Sequence, residues 1–223
     1  MTELPLFPLN TVLFPGVPIF LHIFEERYKQ MVRLCVSQRR PFGVALIKQG
    51  REAFGPAEPH GVACSADIVQ VQPLHDREGR LNIVAVGRER VMIQSFHSQL
   101  PYMVGMVEHF PLPEGGAAAT LTEARRTLLP WLEAYMEIFG RMQRIKFDKS
   151  QLPDDPVALA YLASHLLQVS PAQKQRFLTA PTGLELLTQL RSAYRFEVAL
   201  LKSMWIRAQA VAGESPELPF SLN

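Results

Sequence analysis

The apolar positions change period midway along the chain. Up to about residue 110 they alternate or run in short blocks, and beyond 117 they recur every three or four residues. Pro5-Leu6-Phe7-Pro8-Leu9 and Val12-Leu13-Phe14 are extended pieces broken by prolines, a pattern suited to a strand start or a sheet edge that withholds a full ladder. Pro15-Gly16 is a turn signal. Phe24, Tyr28, Met31 and Cys35 then fall on one helical face, which predicts a helix over 24–39. Glu25 and Glu26 stand in its first turn, Arg39 and Arg40 at its end, and Pro41 stops it. Residues 42–47 read as a buried strand, followed by a polar loop over 49–60.

Period 2 returns with Val62, Cys64, Ala66 and Ile68, then slips in phase to Val69 and Val71, which predicts a β-bulge. A turn over 76–79 and strands over 81–86, 89–93 and 102–110 follow, the first two running on around Gly87. The Pro- and Gly-rich stretch 111–116 reads as the main boundary. Past it, Thr120-x-x-Glu123 fits a capping box ahead of Leu121, Leu128, Leu132, Tyr135 and Phe139. Pro130 is expected to kink or divide that helix. Asp155-Pro156, Ser170-Pro171-x-Gln173 and Thr182-x-x-Glu185 each open a further helix. The last helix aligns Leu187, Leu190, Tyr194, Val198, Leu201 and Trp205 on one face. The expected architecture is α+β. A mostly antiparallel β-rich part with one helix covers 1–112, an α-helical bundle 117–211, and a loosely held tail 212–223.

Composition narrows the function more than it names it. With 23 Lys and Arg against 21 Asp and Glu the formal charge is +2, so no global field calls for a polyanionic partner. Two cysteines are too few for a disulfide scaffold, and a reducing compartment is the simpler reading. The opening residues carry Glu3, no basic cluster and three early breaks in their apolar run, so no export signal is expected. No uncharged apolar run reaches spanning length. A cytoplasmic protein with no membrane partner is the expectation.

Motifs for chemistry are wanting. GxGxxG, GxxxxGK[ST] and GxSxG do not occur. His60-x-x-x-Cys64, with His75 further on, is the nearest approach to zinc spacing, and it reads better as a core cysteine between two loop histidines. Cys35 reads as core filler on a helix face, while His22, His97, His109 and His165 lack a nucleophile-and-carboxylate arrangement. Asp154-Asp155 serve a helix N-terminus, and Asp76 and Glu78 a turn. No catalytic, cofactor-binding or metal-binding residue is therefore assigned, and no cofactor is expected. The strongest charge feature is Arg141, Arg144, Lys146 and Lys149 around Phe147. It reads as a solvated linker unless Arg88, Arg90 and Arg125-Arg126 converge with it into a nucleic-acid footprint.

The residues from Leu4 to Gly16, LPLFPLNTVLFPG, closely resemble the opening of the Lon protease substrate-binding domain. His22-Ile23-Phe24-Glu25-Glu26-Arg27-Tyr28 resembles the start of that family's first helix, and Gly61-Val62-Ala63-Cys64 one of its strands. Val86-Gly87-Arg88-Glu89-Arg90-Val91 is similar to its Gly-x-x-Arg segment. Asp154-Asp155-Pro156 with Leu159-Ala160, Ser164-His165-Leu166 and Gln173-Lys174-Gln175 resembles its helical part. The likeness runs over about residues 3–207. It implies a PUA-like pseudo-barrel followed by a helical bundle, and a protein-recognition module without ATP hydrolysis or proteolysis, an expectation strengthened by the lack of motor and peptidase motifs. The implied partner is an unfolded polypeptide or a partner protein, bound through exposed apolar segments, with eight Met and thirteen Phe available for such a surface. RNA or another phosphate ligand on a PUA-like domain is the alternative, made weaker by the near-neutral charge. Self-association stays open at this level.

Overall fold

Strand β1 (Thr2–Leu9) is apolar at nearly every position after Glu3 because both of its faces are covered. The computed structural model describes residues 1–50, 57–74 and 79–212, the last five for their backbone alone. Chain order runs β1, β2 (Pro18–Ile23), α1 (Glu26–Gln38), β3 (Phe42–Gly50), β4 (Ala57–Pro59), β5 (Val62–Pro73), β6 (Leu81–His97), β7 (Met103–His109), then α2 (Ala118–Gln143), α3 (Pro156–Leu166), α4 (Pro171–Leu178) and α5 (Gly183–Ala212). The fold is α+β, as the sequence predicts. The expected turn at 76–79, Gly79 apart, and the tail beyond Ala212 lie outside the described residues.

The strands follow the order β1-β7-β6-β5-β3-β4, and β1 also pairs with β3, so five strands form a closed ring. The β1–β3 pairing is parallel and the others are antiparallel. β1 is thus not the edge that its prolines suggest. It changes partner at Leu6: Thr2 to Leu6 pair with β7, and Leu6 to Leu9 with β3. Pro5 and Pro8 each face a ladder on one side only, so a missing N–H can point to the side where no ladder runs. Leu4, Leu6, Ala45, Ala63, Val91, Met103 and Val107 fill the core inside this ring. α1 docks on it through Tyr28, whose ring stacks on Phe7 at 4.0 Å.

β6 is one strand of 17 residues running straight through Gly87. Gly87 is needed because the Pro15-Gly16 turn lies on it. The Gly16 N–H donates to the Gly87 carbonyl at 2.8 Å, and the Gly87 N–H to the Val17 carbonyl at 2.9 Å. A Cβ at residue 87 would fall 2.2 Å from the Phe14 carbonyl oxygen. The expected bulge is present as a register shift in β5 between Ile68 and Gln70.

Two compact units emerge. One comprises Met1–Leu112 with Ser164–Ala180, and the other Pro113–Ala163 with Pro181–Asn223. The reason 164–180 joins the sheet unit is a buried arginine. Arg90, 2% exposed on β6, donates through Nη1 to the carbonyls of Leu178 and Ala180, both at 2.8 Å. Its Nε donates to the Phe110 carbonyl and its Nη2 to that of Pro111. Gln175 on α4 adds a buried donation to the Val62 carbonyl at 2.8 Å.

In the second unit α2 pairs with α5 through the edge-on contact of Tyr135 and Tyr194, and the Tyr194 hydroxyl donates to the Ala163 carbonyl at 2.7 Å. α2 is a single helix through Pro130, and it starts ahead of Thr120, so the expected capping box does not form; Ala117 is its N-cap. The run of alanines at 117–119 nucleates the helix one turn early. Asp155, Ser170 and Thr182 do act as caps, accepting from the backbone of Ala158, Gln173 and Glu185. On α5 the face is buried from Leu187 to Val198 and only half-buried at Leu201 and Trp205.

Candidate functional site

Beyond the ring, the first half of β6 carries β2 on one side and the end of β5 on the other. Residues opposite one another in antiparallel strands share a face. Phe20, Val84 and Gln70 therefore form one cross-strand row, and His22, Asn82 and Gln72 the next. Together they line an open concavity of about 430 Å³. The opposite face of the same three strands holds Ile23, Ile83 and Ala85, all buried. β2 alternates because one side has a core to meet and the other has none.

Phe20 is 77% exposed in mid-strand, an unusual position for a large aromatic. Phe24, 45% exposed, stacks near His22 at 6.0 Å between centroids. His22 Nδ1 and Asn82 Oδ1 lie 2.9 Å apart, which fixes the imidazole against the sheet. Among the described strands β2 pairs with β6 alone, so its second edge carries no strand. The face thus offers an aromatic wall, a row of side-chain amides and a strand edge. These are the elements that hold an extended polypeptide, through main-chain hydrogen bonds at the edge and apolar contact for alternate side chains.

Sequence reasoning missed this strand. It carried the chain from the Pro15-Gly16 turn straight into a helix and counted Phe24 on that helix's buried face. In the structure α1 begins at Glu26, after an extended Glu25, and His22 and Ile23 belong to β2. The alternation of Ile19, Leu21 and Ile23 with Pro18, Phe20 and His22 was the signal that could have found it.

Other candidates fall elsewhere. Cys64 is buried on β5, and His60 is half-buried beside β4; His75 lies outside the described residues. Burial pushes the Cys35 and Cys64 thiols up to about 11 and about 12, so neither is a thiolate near neutrality. Among the described residues no three His, Cys, Asp or Glu side chains gather as a metal site. Arg90 cannot join a nucleic-acid footprint, since its guanidinium is spent on backbone carbonyls. Arg88 lies 3.9 Å from Asp67, Arg125 donates to Pro153 and Asp154, and Arg126 forms a two-pronged pair with Glu123 at 2.7 Å. No described helix is long and apolar enough to cross a membrane.

The family model of the ATP-dependent protease La (LON) substrate-binding domain matches residues 3–191. A LON peptidase N-terminal domain and RING finger protein of Schizosaccharomyces pombe is 28% identical over 241 aligned positions, covering 87% of this chain and 47% of that protein. A Lon protease of Porphyromonas gingivalis is 28% identical over 112 positions, 49% of this chain and 13% of its own. The chain thus spans less than half the length of these curated relatives. Among solved structures, a Lon N-terminal domain protein from Xanthomonas campestris matches with a TM-score of 0.63 at 25% identity, covering 86% of this chain and 98% of that one. The N-terminal domain of a Mycobacterium avium complex Lon protease matches with a TM-score of 0.65 at 18% identity, covering 87% and 98%. With the family's model covering most of the sequence and its fold shared with solved Lon N-terminal domains, the chain belongs to the Lon substrate-binding domain family.

Proposed function

We propose that this chain is a non-catalytic recognition module that captures extended, apolar segments of unfolded polypeptides on the β2–β6–β5 face. The observation that carries this reading is Phe20, a large aromatic 77% exposed on a strand whose second edge carries no other described strand. A client strand laid along β2 satisfies its own backbone at that edge and covers Phe20 and Phe24 with its side chains. Gln70, Gln72 and Asn82 supply hydrogen bonds that do not depend on client sequence, as a module with many clients requires. Two free, buried cysteines suit a reducing compartment such as the cytoplasm.

The energetics give a weak and reversible contact. Covering about 400 Å² of apolar surface contributes a gross gain of about 10 kcal/mol. Ordering about five or six client residues, with the lost rigid-body freedom, offsets about a third to a half of it, and the surplus of about 5 to 7 kcal/mol corresponds to dissociation constants of about 10 to 200 micromolar. The test is titration of a permanently unfolded, labelled protein and its folded form into the wild-type chain and the Phe20→Ser variant. The unfolded form binds the wild type and the folded form does not, and binding of the unfolded form weakens about tenfold in the variant. Equal binding of folded and unfolded forms, or a variant that binds like the wild type, overturns the reading.

A further inference from the structure

The second unit holds a separate hollow of about 380 Å³ at the end of α2. It is built by a reversal of the chain. Arg144 takes the left-handed conformation (φ 57°), and the Ile145 N–H turns back to the Gly140 carbonyl at 2.8 Å. A Cβ at Gly140 would fall 2.6 Å from the Ile145 carbonyl oxygen and 3.3 Å from the Phe147 ring, so glycine is what lets the returning chain lie so close. Met136, Ile145 and Phe147 make the apolar lining, with Ile145 52% exposed, and Arg141, Arg144, Lys146 and Lys149 supply the charge.

That charge is only partly neutralised. Glu137 pairs with Arg141 at 2.9 Å and lies 4.0 Å from Lys149, which also approaches Glu133 at 3.8 Å. Among the described residues Arg144 and Lys146 form no ion pair. Asp148, the one acid in the returning segment, is turned away into a cap, accepting from the Ser150 N–H at 3.0 Å and the Ser150 hydroxyl at 2.7 Å. A chain of near-neutral net charge has here concentrated unopposed cations around an apolar hollow.

We propose that this hollow binds an acidic polypeptide segment carrying an apolar side chain, which enters against Met136, Ile145 and Phe147 while flanking carboxylates meet Arg144 and Lys146. The lining favours peptide over single-stranded nucleic acid. Its walls are aliphatic, and its one aromatic, Phe147, is half-buried with its ring tilted on Phe139 at 6.4 Å. Single-stranded nucleic acid is held by successive aromatic platforms, and this hollow has no second one. The proposal is independent of the β2 face, since none of these residues belongs to it.

The test is fluorescence titration of the full chain with a labelled peptide in which Glu and Asp flank a Leu-Phe pair. The same peptide with Lys for its acids, and an oligouridylate, are titrated in parallel at low and high salt. Arg144→Asn combined with Lys146→Glu removes the free cations at exposed positions, with Asn suited to the left-handed site. Ile145→Ser removes the apolar wall. The acidic peptide is expected to bind, to weaken about tenfold in the charge variant, and to weaken in Ile145→Ser. Phe20→Ser leaves it unchanged, and the lysine peptide does not bind. No saturable binding of the acidic peptide, or equal binding by the charge variant, overturns the proposal. Oligouridylate binding that is lost in the charge variant assigns the hollow to nucleic acid and also overturns it.

Discussion

Arg90→Met is the substitution that most sharply separates a functional arginine from a structural one. Methionine keeps much of the side-chain volume but has no donor, so the four carbonyls of Phe110, Pro111, Leu178 and Ala180 lose the bonds of 2.8 to 3.2 Å that now satisfy them. Each bond from a charged donor contributes about 1.5–3 kcal/mol before desolvation of the charge is counted. Removing the buried guanidinium returns several kcal/mol of that desolvation, which leaves a net loss of about 3–5 kcal/mol. Against the 5–15 kcal/mol typical of a folded domain, about a third of the stability disappears. Arg90→Lys recovers only part, because three hydrogens on one nitrogen cannot reach carbonyls spread around a planar fork. Urea unfolding followed by far-UV circular dichroism measures the loss. Hydrogen exchange locates it, with amides of β6 and α4 opening first. A Met variant within about 1 kcal/mol of wild type would refute the reasoning, since buried carbonyls cannot lose such partners at so small a cost.

Gly87→Ala places a methyl group 2.2 Å from the Phe14 carbonyl oxygen and forces the Pro15-Gly16 turn off β6; a loss above about 2 kcal/mol is expected in urea unfolding. Tyr194→Phe strips the Ala163 carbonyl of its donor and costs about 1–2 kcal/mol in the same assay. Burial, helped by Tyr135, holds the Tyr194 hydroxyl well above its ordinary value. Its stabilisation is therefore full below the unfolded-state pKa of about 10 and is lost as pH rises beyond it, a dependence that the Phe variant lacks. Cys35 and Cys64, pushed up to about 11 and about 12 by burial, react with a thiol reagent at mildly alkaline pH only once urea has unfolded the chain.

What the sequence made legible was local. The caps at Asp155, Ser170 and Thr182 lie within three residues of the amides they serve, and the face of α5 from Leu187 to Val198 follows from helical spacing alone. The phase slip at Val69 marks a real bulge because alternation along one strand records which side is buried. What stayed hidden depends on partners distant in sequence. Pro5 and Pro8 suit an isolated edge equally well as a strand that changes partner at Leu6. Arg90 looks like any surface base until Leu178 and Ala180, some ninety residues on, bring their carbonyls to it. Thr120 and Glu123 had the right spacing for a capping box, but the alanines before them took the helix start. The β2 face was overlooked for a different reason. Its strand is short, and the helical period of Tyr28, Met31 and Cys35 was carried back to Phe24, ahead of where α1 begins.

The most direct test of the central claim is amide chemical-shift mapping of the isotope-labelled chain as a permanently unfolded client is added. Perturbations are expected to centre on 18–24, 70–72 and 82–84, to grow together with one dissociation constant, and to need about tenfold more client in Phe20→Ser. That variant should fold as the wild type does, because Phe20 is 77% exposed. Client-induced shifts that avoid β2 and its neighbours, or that persist unchanged when Phe20 is replaced, would contradict it.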